Sequence, residues 1–173
     1  MLSFSSLASS AEITGPEVAL QGNEIYVTTS LTLEEKYVKE ISNGIEKEFK
    51  FYIDLFKVWN MWPDEFVLGK SITRTLKCDP VKNEFIATSF DGSILLKKRF
   101  KSFESMIKWA LSIDNLKLSN IRELDPGIYF VRITVESKIR NLPPVIGQFL
   151  IFLSENEFVV KKDSFDFRLG PVQ

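Results

Sequence analysis

Apolar and polar residues alternate along much of the chain, most regularly between Gly127 and Ile139. Tyr129, Val131, Ile133, Val135 and Ile139 share one parity, while Arg132, Thr134, Glu136 and Lys138 share the other. Successive side chains of an extended strand point to opposite faces, so this stretch predicts a strand with one buried and one wet face. Asn141-Leu142-Pro143-Pro144 ends it, because two prolines remove two ladder donors and fix the backbone near the polyproline region. A nearly continuous apolar run, Val145 to Leu153, follows and reads as a further strand.

The same period organises the rest. Val18 to Leu20 and Ile25 to Leu31 flank Gly22-Asn23, a two-residue hairpin turn. Thr32 and Glu35 have the spacing of a capping box, and Tyr37, Val38, Ile41 and Ile45 follow at helical spacing, which predicts a helix over residues 33–43 closed by Asn43-Gly44. Lys47 to Val58 returns to alternation, with Phe49, Phe51, Ile53 and Leu55 on one face and Tyr52, Phe56 and Val58 on the other, a strand expected to be covered on both sides. Phe66 to Cys78, Asn83 to Phe90 and Ser93 to Phe100 read as strands, the last two joined by the hairpin signal Asp91-Gly92. Ser102 caps a second helix whose apolar stripe is Phe103, Met106, Ile107, Ala110 and Leu111. Asp114 to Asn120 reads as a polar connection, and Phe158 to Val160 with Phe165, Phe167 and Leu169 completes the sheet. The expected fold is mainly β (α+β), an antiparallel β-sandwich of about eight to nine strands with two short amphipathic helices.

The chain is long enough to bury a core without disulfides or metals, and residues 12–170 are expected to form a single β-rich domain. Residues 1–11 are uncharged, and Ala8-Ser9-Ser10-Ala11 has the small-residue form of a signal-peptide cleavage end without its basic start, so they read as a signal remnant or a disordered tail. No apolar run reaches the length of a transmembrane helix. Twenty-two basic against 23 acidic residues, a net charge of −1, give no sign of a nucleic-acid partner.

The absence of histidine removes Ser-His-Asp and Cys-His catalysis and the usual zinc sites, and no glycine-rich phosphate loop or other cofactor motif is present. No catalytic residue, metal site or cofactor is therefore assigned. Cys78 is the only cysteine and reads as a small strand residue. Asp64-Glu65 is an adjacent carboxylate pair, but strand neighbours point to opposite faces, which makes a carboxylate-based enzyme the weakest of three readings.

The most distinctive local composition is Trp59-Asn60-Met61-Trp62-Pro63-Asp64, two indoles and a methionine in a loop. Trp59, Met61, Trp62 and Phe66 are candidates for an aromatic contact surface, and the alternative is a plug closing one end of the core. Leu142 and Pro143, at the proline bend, are the other candidate contact residues. Lys97, Lys98, Arg99 and Lys101 could meet an anionic lipid or phosphate, or simply keep a strand edge solvated.

The order of landmarks resembles a bacterial family of exported proteins catalogued as domain of unknown function 4390. The resemblance rests on Gly44 after the first helix, the aromatic strand behind it, Trp62-Pro63-Asp64-Glu65-Phe66, Ser102-Phe103 opening a helix, Leu124-x-x-Gly127-x-Tyr129 and Leu142-Pro143. It spans residues 12–169 and implies an exported, periplasmic protein, whereas a cytoplasmic location would follow if the N-terminus is not a signal remnant. It brings no catalytic residues. The expected function is a non-enzymatic binding or interaction domain of the cell envelope, its partner an envelope or membrane-associated protein. The alternative is a carrier of an apolar ligand or lipid within a helix-covered sheet.

Overall fold

The computed structural model describes residues 11–141 and 156–170. The proline bend with Leu142 and Pro143, the apolar run 145–153 and the N-terminal stretch lie outside the described residues. The order of elements is β1 (Ala11–Gln21), β2 (Glu24–Leu33), α1 (Glu35–Ser42), β3 (Glu46–Lys57), β4 (Glu65–Asp79), β5 (Glu84–Phe90) and β6 (Leu95–Phe100), then α2 (Phe103–Ala110), β7 (Ser112–Asn120), a single 3-10 turn (Ile121–Glu123), β8 (Gly127–Asn141), β9 (Phe158–Asp163) and β10 (Phe167–Leu169).

These ten strands form two antiparallel sheets of a sandwich-like β fold with two helices. The small sheet runs β1-β2-β7, and the large one runs β10-β8-β3-β4-β5-β6, with β9 also paired to β8. At the centre of the large sheet, β3 lies between β4 and β8. Phe49, Phe51, Ile53 and Leu55 face Ser137, Val135, Ile133 and Val131 in register, and every one of these side chains is buried. This is the inner face. The small sheet and both helices pack on it, as shown by Lys70 Nζ donating to the Lys117 carbonyl of β7 and by Trp109 of α2 lying over the Arg74 guanidinium at 4.0 Å. The opposite, outer face of the large sheet carries no described element.

Several sequence expectations hold in detail. The Gly22-Asn23 turn closes Gln21 against Glu24, and Ser102 caps α2 by accepting the Ser105 N–H at 3.2 Å. Gly44, at φ +94°, ends α1 with its own N–H on the Ile41 carbonyl and that of Ile45 on the Glu40 carbonyl, a closure that needs the left-handed backbone glycine supplies.

Others are corrected. Thr32 is not a helix cap: Thr32 and Leu33 stay paired with Glu12 and Ala11 in β2, and α1 starts after Glu34 without a side-chain cap. Asp114 to Asn120 belongs to β7. Irregular pairing with β2 and a positive φ at Asn115 put Leu118 out of step with Ile113, so the buried Leu118 hides in a polar-looking run. The Asp91-Gly92 turn takes four residues, because Phe90 pairs with Leu95 while the Asp91 carboxylate accepts the N–H groups of Ser93 and Ile94 at 2.9 and 2.8 Å. Phe165 stands exposed before β10 instead of continuing the alternation. Finally, among the described residues β3 is covered on one side only, and its Tyr52 and Phe56 lie half-buried on the outer face.

Candidate contact surface

Trp59, Met61, Trp62 and Phe66 sit at one end of the large sheet, in the β3–β4 connection and the first turn of β4. The connection is anchored below the loop, where the Val58 N–H donates to the Ile128 carbonyl at 2.8 Å. Beyond it, Pro63 cannot supply a ladder donor, and pairing resumes only at Glu65, opposite Lys57. The plug reading fails on exposure: Met61 is 91% exposed, Trp62 76%, Phe66 56% and Trp59 45%.

The loop side chains differ in how firmly they are held. Trp59 donates its indole N–H to Glu65 Oε2 at 3.1 Å, and the Lys57 ammonium lies 5.0 Å from its ring. Phe66 packs edge-on against Phe56 at 5.9 Å between centroids, and Phe56 stacks on Phe130 at 5.3 Å. The Arg132 guanidinium covers both Phe56 and Phe130, at 5.0 and 5.4 Å. It is fixed in turn by two hydrogen bonds to the Asp163 carboxylate, at 2.7 and 2.8 Å, which raise its already high pKa. Beside them burial pushes the Asp54 carboxyl up, against the opposing pull of Arg132. Gly69 makes this crowding possible, since a Cβ there would collide with Asp54 Oδ1. The result is a braced aromatic ladder along the outer face that ends in the exposed pair Met61 and Trp62, an arrangement suited to recognising an apolar or aromatic surface.

Phe56, Phe130 and Arg132 complete this surface although the loop composition alone did not include them. The signal was present in the parity: Phe130 and Arg132 are two apart on the wet side of β8, and register brings Phe130 opposite Phe56. The remaining candidates do not converge on a site. Asp64 and Glu65 are both exposed, and Glu65 is engaged with Trp59. Cys78 is buried with its thiol 3.6 Å from the Ser42 carbonyl, and burial raises its pKa, as for an unreactive strand cysteine. No group of three His, Cys, Asp or Glu among the described residues is placed to hold a metal ion, and no helix among them is long and apolar enough to cross a membrane.

The family profile described as a domain of unknown function (DUF4390) matches residues 8–166. The chain belongs to that family. The match takes in every strand but β10, both helices and the aromatic surface of this DUF4390 chain. No curated protein and no solved structure matches it.

Proposed function

We propose that the chain is a non-enzymatic binding domain of the bacterial cell envelope, acting in the periplasm, and that the Trp59–Phe66 surface holds an envelope or membrane-associated protein. The exposure of Trp62 and Met61 carries this reading. A tryptophan side chain offers roughly 200 Å² for burial, so leaving three quarters of Trp62 in water forgoes about 4 kcal/mol of transfer free energy at ~25 cal/mol per Å². A partner surface recovers that energy, and the braced ladder beneath presents the loop without much ordering cost.

The filled interior speaks against a carrier of an apolar ligand. Phe49, Phe51, Ile53, Tyr129, Val131 and Ile133 occupy the space between the layers. A concavity of about 710 Å³ is instead an open groove at the sandwich edge between Gly15-Pro16 of β1 and the Ser164–Asp166 turn. The envelope location draws support from the export that the family resemblance implies.

Two measurements test the proposal. Fractionation of cells expressing the gene, with an intact mass of the product, should give a periplasmic species; an uncleaved cytoplasmic one would remove the envelope from the proposal. Met61→Ala with Trp62→Ala should keep the melting temperature and lose partner association. A folded double variant that retains every association of the parent would refute the surface.

A further inference from the structure

The β5–β6 hairpin carries large apolar side chains that the fold leaves substantially in water. Phe90 ends β5 and Ile94, Leu95 and Leu96 open the return, all exposed, Ile94 and Leu95 at 67% and 69%. Register spreads them over the tip. Phe90 and Leu95 pair on the outer face, Leu96 faces the other way opposite Ser89, and Ile94 stands in the turn.

Cations follow at once. Lys97 and Arg99 share the outer face with Leu95, and Lys98 lies on the inner side, its ammonium 5.1 Å from the Phe100 ring and 5.5 Å from that of Trp109. Lys101 extends the row, and β6 is the last strand of the sheet. The neighbouring carboxylates offset only part of this charge. Asp91 is turned into its own loop, where the N–H groups of Ile94 and Ser93 hold its carboxyl below the usual range, and Glu84 lies 3.6 Å from Arg99.

Defence of an edge strand accounts for the cations but gives no reason for an apolar tip ahead of them. An apolar tip with a cationic collar is the composition of an interfacial anchor. Its tip enters the headgroup and acyl boundary while lysine and arginine stay with the lipid phosphates. We propose that the β5–β6 hairpin docks this domain on an anionic lipid bilayer, through Phe90, Ile94, Leu95 and Leu96 at the tip and Lys97, Lys98, Arg99 and Lys101 behind it. This surface is separate from the Trp59–Phe66 loop and stands whether or not that loop binds a protein.

The test is flotation of the purified chain with vesicles of equal parts phosphatidylglycerol and phosphatidylcholine, and with phosphatidylcholine alone. Binding should be confined largely to the anionic vesicles and weaken with salt. Each charge removed should lower partitioning about fivefold, so Lys97→Gln with Arg99→Gln should bind about 25-fold more weakly. Ile94→Ser with Leu95→Ser should remove the binding that survives salt. All four positions are exposed, so melting temperatures should stay at the parent value. Absence of binding to anionic vesicles at low salt, or parental binding by both hairpin variants, would overturn the proposal. It would equally be overturned if only Met61→Ser with Trp62→Ser abolished binding. A dimer seen by sedimentation and broken by the hairpin variants, without vesicle binding, would replace it with edge-to-edge pairing of two copies.

Discussion

Replacing Lys47 with methionine removes the one fully buried ammonium among the described residues. Its Nζ lies 2.5 Å from Glu40 Oε2 and 2.6 Å from Glu157 Oε1, and 4.7 Å from the centre of the Tyr37 ring. Glu157 also accepts the Ser137 hydroxyl at 3.0 Å, while its own N–H donates to the Ser137 carbonyl. One side chain therefore ties α1, β3, β8 and the start of the return to β9. Taking one member from a buried ion cluster leaves the others desolvated and unpaired, at a typical cost of about 3–5 kcal/mol. Glu40 and Glu157 keep 26% and 15% of their side-chain exposure, so water relieves part of that penalty and the lower end, about 3 kcal/mol, is expected. For a domain of this size that is a fall of roughly 6–12 °C in melting temperature. Urea unfolding of the parent, Lys47→Met, Glu157→Gln and the double variant measures both the loss and the coupling. The double variant should be more stable than Lys47→Met, because one orphaned carboxylate is gone. If Lys47→Met were as stable as the parent, the cluster would contribute nothing beyond what its burial costs, and the reasoning would be wrong.

Three further predictions follow from the same geometry. Trp62→Ala should change stability by no more than about 0.5 kcal/mol, since the ring is mostly in water; a large fall in melting temperature would restore the plug. Ile133→Asp puts an unpaired charge in the centre of the large sheet and should cost several kcal/mol and prevent soluble expression, whereas a stable, folded variant would show the faces of β8 to be reversed. Burial raises the Asp54 carboxyl above its ordinary 3.8, so the folded chain holds that proton more tightly than the unfolded one and loses stability as pH rises from 3.8 through the raised range. Asp54→Asn should thus melt higher than the parent at pH 7 and lose its advantage below pH 3.8; a variant less stable at pH 7 would contradict the sign.

The large sheet was legible because its strands keep period two over long runs. Phe49 to Leu55 and Tyr129 to Val135 announce the same face, and both are buried on it. Lys47 shares the parity of Phe49, so its burial was implicit, but its partner Glu157 is 110 residues away and no local pattern could name it. β7 was missed for the opposite reason: its bulges break the period that the sequence reading relies on. At the contact surface, the composition of residues 59–66 marked the loop, yet whether tryptophan faces water or core depends on what packs over the sheet end. Phe130 and Arg132 joined it only through the register of β3 with β8, a long-range pairing.

The most direct test of the account is photocrosslinking in cells from position 62, with Asn43 and Lys82, exposed at the opposite end of the large sheet, as control positions. The account predicts a discrete protein adduct from position 62 that neither control yields. No adduct from position 62, or the same adducts from all three positions, would contradict it.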